Sequence, residues 1–124
     1  MKHNEAKKLI AIYGQAWMTR DPELILDIFT EDATYLDPSL PENQGHEGIR
    51  AYWVSKVIGE QKDIVFKLRN LWLDGDTVIA EWDATFINTK KNVRVEMSEV
   101  AIFGVRGDKF CSLREYYTAK KTPL

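Results

Sequence analysis

The sequence predicts an α+β domain in which three N-terminal helices pack on one face of a curved, antiparallel sheet. Two periodicities and one size argument predict it. Up to Ile58 the apolar side chains recur at helical spacing. From Ile64 to Tyr117 they alternate along four runs whose connections, DGD, NTKKN and VRGD, are short and rich in Gly, Asp and Asn. At 124 residues, 44% hydrophobic and 29% charged, the chain can bury one core without disulfides or a structural metal, so residues 1–124 are read as a single domain.

The elements follow in order. Ala6, Leu9, Ile10, Tyr13, Ala16 and Trp17 share one face of a first helix, with Asn4 as its expected cap. Asp21-Pro22 reads as a cap followed by proline at the first helical position, and Leu24, Ile25, Ile28 and Phe29 form the buried face of a short second helix. Ala33 to Asp37 is a brief strand. After a proline-containing loop, Gly45 to Gly48 opens a third helix whose Ile49, Tyr52, Trp53 and Val57 share a face, and Gly59 marks its end. The long strands are expected near 63–73, 77–87, 93–105 and 109–118.

Composition excludes several classes of function. The net charge is −2, and Lys90-Lys91 and Lys120-Lys121 read as a solvated turn and tail, so no nucleic acid is expected as partner. No apolar run approaches the roughly 20 residues of a membrane span, and no basic-then-apolar leader is seen, which makes a cytoplasmic location the expectation. Cys111 is the lone cysteine. Two distant histidines, His3 and His46, add no zinc-ligand spacing, so no metal is expected, and no phosphate loop or nucleophile elbow is present. Carboxylates, tyrosines and tryptophans remain.

Alternation sorts these residues by face. Met97, Glu99, Ala101 and Phe103 lie together in the third long strand, and Trp82, Ala84 and Phe86 form the aromatic side of the second. Glu99 among apolar neighbours is informative, because a carboxyl group facing a core costs several kcal/mol unless it is paired, hydrogen-bonded or neutral. The last strand has two possible parities: Cys111, Leu113, Glu115 and Tyr117 inward, or Phe110, Ser112, Arg114 and Tyr116. In the first case Glu115 meets Glu99. Phe110 and Tyr116, with Val100 and Ile102, would then leave an apolar outer face for a symmetric homodimer. Tyr35 and Asp37 also share a face.

WMTRDPELILDIFTEDATYLDP, GHEGIRAYW and FCSLREYYT, in this order and spacing, resemble the nuclear transport factor 2-like superfamily, in its branch of ketosteroid isomerases and SnoaL-like polyketide cyclases. The resemblance spans nearly the whole chain and implies a cone-shaped fold. It places the isomerase's oxyanion tyrosine on Tyr13, its general-base aspartate on Asp37, and its protonated aspartate on Glu99, where this chain has one more methylene. The aromatic that supports the oxyanion tyrosine falls on Trp53, and Glu115 has no acidic counterpart. The LREYYT strand is similar to that of epoxide hydrolases of the same fold, yet Trp82 and Ala84 stand where that family has an arginine and a second aspartate.

The resemblance thus implies acid–base catalysis without a cofactor on a hydrophobic steroid- or polyketide-like carbonyl compound. Asp37 takes the proton, Tyr13 and a neutral Glu99 face the oxyanion, and Trp17, Tyr35, Trp53, Trp82, Phe86, Met97, Glu115 and Tyr117 line the substrate site. The other readings are a non-catalytic pocket for an apolar small molecule, and an epoxide hydrolase or dehydratase of the same fold.

Overall fold

A computed structural model describes residues 1–38 and 40–124. The first apolar stripe becomes helix α1 (His3–Met18), which buries Ala6, Ile10, Tyr13 and Trp17. Its cap is Lys2, two residues ahead of the expected Asn4: the Lys2 backbone N–H donates to Glu5 Oε1 at 3.1 Å, so the acid of the first turn closes the end. At its other end Arg20 takes a left-handed conformation (φ 54°), and the Asp21 N–H reaches back to the Ala16 carbonyl at 2.9 Å. Asp21 Oδ1 then accepts from the N–H groups of Glu23 and Leu24, each at 3.0 Å, as its capping position predicts.

The second helix is only a 3₁₀ turn (Leu24–Ile28), and Phe29 already opens strand β1 (Phe29–Leu36), four residues earlier than the alternation indicated. The reason is a long-range partner: Phe29 pairs with Phe110 on the last strand. The short β2 (Asn43–Gln44) leads into α2 (Gly45–Tyr52), which widens into a π-helical turn (Trp53–Ile58). His46 Nε2 donates to the Phe29 carbonyl at 2.9 Å and ties the helix start to β1. Gly59 closes the π-helical turn with an ordinary helical φ of −73°, but it is not the expected stop, since helical backbone continues through Glu60.

The long strands are β3 (Gln61–Asp74), β4 (Thr77–Asn88), β5 (Val93–Arg106) and β6 (Lys109–Pro123). The sheet runs β2-β1-β6-β5-β4-β3, antiparallel except for the parallel β1–β6 pair, and is therefore mixed. Interruptions of register in β3–β4, β1–β6 and β5–β6 bend it, so that it curves around the helices without closing. Gly75 and Gly107 take positive φ in two hairpin turns, as does Asn92 in the third. No helix among the described residues is long and apolar enough to cross a membrane.

Alternation in β4 and β5 is as read: Trp82, Ala84, Ala101 and Phe103 are buried on the helix side. In β6 both expected parities hold in part. The β5–β6 register shifts between Gly104 and Val105, so Phe110 and Leu113, Glu115 all turn inward. Phe110 is thereby removed from the expected outer patch: it is fully buried and stacks on Phe103 at 4.3 Å between ring centroids. Val100 and Ile102 stay half-buried on the outer face beside Tyr116, which is 48% exposed.

Gly14 lets α1 approach the sheet. A Cβ there would lie 2.4 Å from Phe66 Cδ1, and that ring is held by Trp82 at 5.1 Å and by Tyr13 at 6.0 Å. Gly14→Ala is expected to overpack this contact at a cost of about 1–3 kcal/mol and lower Tm by several degrees, despite alanine's better helix propensity; a thermal melt showing equal or higher Tm would refute it.

Candidate functional site

The helices and the curved sheet enclose a cavity of about 190 Å³. It exceeds the roughly 150 Å³ that holds a benzene ring in a protein interior, and falls short of the roughly 300–1,000 Å³ of sites for drug-sized ligands. Of the residues the sequence singled out, Tyr13, Trp17 and Trp53 line it from the helices, Tyr35 and Asp37 from β1 and its end. Phe86, Met97, Glu99, Glu115 and Tyr117 line it from the sheet. Trp82 does not. It lies fully buried behind Tyr13, with ring centroids 4.9 Å apart, because its strand position places it one layer deeper under α1.

Three carboxyl groups meet in this space, with Glu99 3%, Glu115 5% and Asp37 6% exposed. Glu115 Oε1 accepts hydrogen bonds from the hydroxyls of Tyr13 and Tyr35, both at 2.7 Å, and the two phenol oxygens are themselves 3.1 Å apart. Burial pushes the Glu115 carboxyl up to about 7, against the opposing pull of the two tyrosine donors. Glu99 is pushed well above the ordinary carboxylate range, first by burial, then by the negative charge of Glu115. A hydrogen bond between the two carboxyls further favours a proton on Glu99 and a charge on Glu115. Of the two carboxyls in contact, Glu115 is thus the readier to lose its proton. Glu99 Oε2 and Trp82 Nε1 are both buried without a hydrogen-bond partner of normal geometry.

Asp37 has its own pair of phenols. Tyr52 donates to Oδ2 at 3.0 Å and Tyr117 to Oδ1 at 3.3 Å, while the Asp37 backbone carbonyl accepts the Leu40 N–H at 3.0 Å. The turn-forming and the cavity-facing readings of this aspartate are therefore both met, one by its backbone and one by its side chain. The four tyrosines divide two and two between the acids. Burial raises the Tyr13 and Tyr35 phenols well above their ordinary value, helped by the Glu115 charge, and keeps them donors. Tyr52 shifts the same way, mainly through burial.

Tyr52 is the functional side chain that the sequence reading left out of the site, although its helix face was recognised. The available signal was its place beside Trp53, across from the Asp37 end of the strand: its ring lies 5.0 Å from that of Tyr35. Gln61 was also missed. Its Oε1 accepts the Trp17 indole N–H at 2.7 Å and fixes that ring at the cavity wall. Asn88 and Lys121 complete the outer end. No group of histidine, cysteine, aspartate and glutamate among the described residues is arranged to hold a metal ion.

Residues 10–113 match the model of the SnoaL-like domain family. Among solved structures, an NTF2-like protein from Anabaena variabilis ATCC 29413 is 24% identical over 97% of this chain and 96% of its own, with a TM-score of 0.82. The epoxide hydrolase/cyclase-like enzyme SalBIII, with a role in pyran ring formation in the polyether salinomycin, is 24% identical over 94% of this chain and 93% of its own, at a TM-score of 0.79. TsrD from Streptomyces laurentii is 16% identical over 94% and 90%, at 0.81. No curated protein matches. These likenesses share the cone-shaped NTF2-like fold, and since the family match extends over most of the sequence, the chain belongs to the SnoaL-like domain family.

Proposed function

We propose that the cavity carries out acid–base catalysis on a small hydrophobic carbonyl compound of steroid- or polyketide-like kind, by removing a proton next to the carbonyl. One observation carries this reading: Asp37 shares an aromatic-walled cavity with Glu99, a carboxyl that burial and the neighbouring Glu115 push toward its protonated form. A base and an acid from the same residue class, separated by environment, are what proton removal and stabilisation of the resulting enolate need. Asp37 takes the proton. Glu99, neutral, stabilises the oxygen on which charge develops. The hydroxyl of Tyr13 is engaged by Glu115, so Tyr13 acts with Tyr35 to favour the ionised form of Glu115 against its burial and, through it, the proton on Glu99.

The cavity volume supports a substrate whose reactive end enters while the remainder lies across the mouth, since about 190 Å³ is too little for a whole steroid. A second reading, a binding domain without chemistry, is favoured by the two phenols that donate to Asp37, which engage both oxygens of its carboxyl group. An epoxide hydrolase is supported least, because no arginine lines the cavity among the described residues. Two copies pairing through Val100, Ile102 and Tyr116 on the outer sheet face, with Phe110 no longer part of the patch, complete the proposal.

Asp37→Asn is expected to keep the fold and lower turnover of unsaturated ketones by about 10²-fold or more, because the amide keeps the shape but accepts no proton; undiminished turnover would sink the mechanism. The neutral state of Glu99 has its own consequence for stability. A carboxyl whose folded pKa lies above its unfolded value contributes stability that is complete below the unfolded value, near 4.5 for both glutamates, and is lost as pH rises through the folded one, about 7 for Glu115. The Tm difference between Glu99→Gln and the parent is therefore expected to move in favour of the variant from about pH 5 to about pH 8; a pH-independent difference would mean that Glu99 is ionised throughout. Sedimentation at tens of micromolar should give a dimer mass that Tyr116→Glu reduces to a monomer, and a monomeric parent would remove the assembly from the proposal.

A further inference from the structure

Among the described residues, the cavity holds three buried carboxyl groups and no buried cationic side chain. Crowding makes the glutamates costly to ionise: the Asp37 charge acts on both of them, and that of Glu115 acts on Glu99. The donors facing them are phenols, Tyr13 from α1, Tyr35 from β1, Tyr52 from α2 and Tyr117 from β6, which stabilise anions without cancelling charge. Lys121 is the one cationic side chain that lines the cavity among the described residues, and it is exposed at the outer end, where water and salt screen it. Glu99, almost wholly buried, still has a carboxyl oxygen without a hydrogen-bond partner of normal geometry.

Buried acids are costly to a fold, and replacing buried charged groups by apolar side chains of similar volume is often neutral or stabilising. Their convergence in one enclosed space, together with aromatic walls, defines a site for positive charge. Trp17, Trp53, Tyr35, Tyr52 and Phe86 surround the same volume, and aromatic faces attract an organic cation most strongly where water is excluded. We infer that the cavity takes a compact organic ammonium compound, one whose amine supplies the positive charge that the carboxyl cluster lacks, and that anionic ligands are rejected.

This rests on the cavity being the ligand site proposed above, and it narrows the substrate to a carbonyl compound that also bears an amine. The size agrees: a six-membered ring with an ammonium group suits about 190 Å³. Binding of such a cation has a proton signature. Positive charge beside Glu115, which titrates at about 7, favours its ionised form, so binding near neutral pH releases protons to solvent.

The test is calorimetric titration of the full chain, near neutral pH, with three ring compounds of similar size: cyclohexylammonium, cyclohexanol and cyclohexanecarboxylate. Repeating it in two buffers of different ionisation enthalpy counts the protons released. The ammonium, charged like a lysine side chain below about pH 10.4, is expected to bind roughly tenfold or more tightly than the alcohol, with proton release, and the carboxylate is expected not to bind. Glu115→Gln should abolish the release and the preference while leaving the affinity for cyclohexanol. If that variant does not fold, Asp37→Asn should weaken the preference in the same way. Equal or tighter binding of the alcohol, binding of the carboxylate, or no binding of the ammonium overturns the inference. The two readings fail separately: ammonium binding by a protein whose ketone turnover is unchanged in Asp37→Asn refutes the mechanism alone, and turnover of neutral ketones without ammonium binding refutes this one alone.

Discussion

The contact on which the rest of the structure depends is the pair of 2.7 Å hydrogen bonds from Tyr13 and Tyr35 to one oxygen of Glu115. They join the first helix, the first strand and the last strand at one atom, deep in the fold. Tyr13 is at the centre of the aromatic packing, in edge contact with Trp17, Trp53 and Phe103 and tilted against Trp82. Its hydroxyl can therefore move little. A buried carboxylate with two such donors is tolerable where an unpaired one would not be, and removing either phenol would leave charge that the surroundings cannot solvate. Glu99 lies next to that charge and retains its proton for the same reason.

What brings Glu115 inward is a local fault in the sheet. With uninterrupted pairing between β5 and β6, Phe110 and Glu115 would face opposite sides, since five residues separate them. The register shift near Gly104 changes the parity, and the Gly104 N–H is taken up by Ser112 Oγ at 3.1 Å. Gly104 has no room for a side chain, because a Cβ would lie 2.5 Å from that hydroxyl. Phe110 can then stack on Phe103 in the closed end of the cone while Glu115 and Tyr117 face the cavity at the open end. One bulge thus gives the last strand both an apolar and an acidic inward stretch.

This explains which parts were legible in the sequence. The faces of α1, β4 and β5 were, because each is set by an uninterrupted local period: Tyr13 with Trp17, Trp82 with Phe86, Glu99 with Phe103. The parity of β6 was not, because the bulge that settles it depends on how Phe110 packs against residues distant in the chain. The early start of β1 was hidden for a similar reason, its pairing of Phe29 with Phe110 across the sheet. Within the site, a face could be read but not a depth. Trp82 and Phe86 lie on one face, yet only Phe86 reaches the cavity. Tyr52 was on a recognised helix face, and its bond to Asp37 follows only when α2 is set against the end of β1. Asp37 and Glu99 were legible from the resemblance as well as from pattern; the role of Glu115 was open because its parity was.

The balance of forces at the cavity gives the site its character. Aromatic contacts around Tyr13 each contribute about 0.5–1.5 kcal/mol beyond the area they bury, enough in sum to carry a buried acid cluster that costs several kcal/mol. The same rings that stabilise the fold exclude water from the carboxyls, and exclusion of water is what separates their protonation states. The stability of the fold and the protonation pattern of the cavity are therefore drawn from one set of side chains. A more polar wall would let both glutamates ionise and would turn the cavity into an ordinary acidic cleft, whereas without Tyr13 and Tyr35 the charge on Glu115 would lose its donors and the proton on Glu99 its distinct place. An enclosed space with one neutral and one readily ionised glutamate, and a third carboxylate held by its own phenols, follows from packing these residues at the open end of a bent sheet.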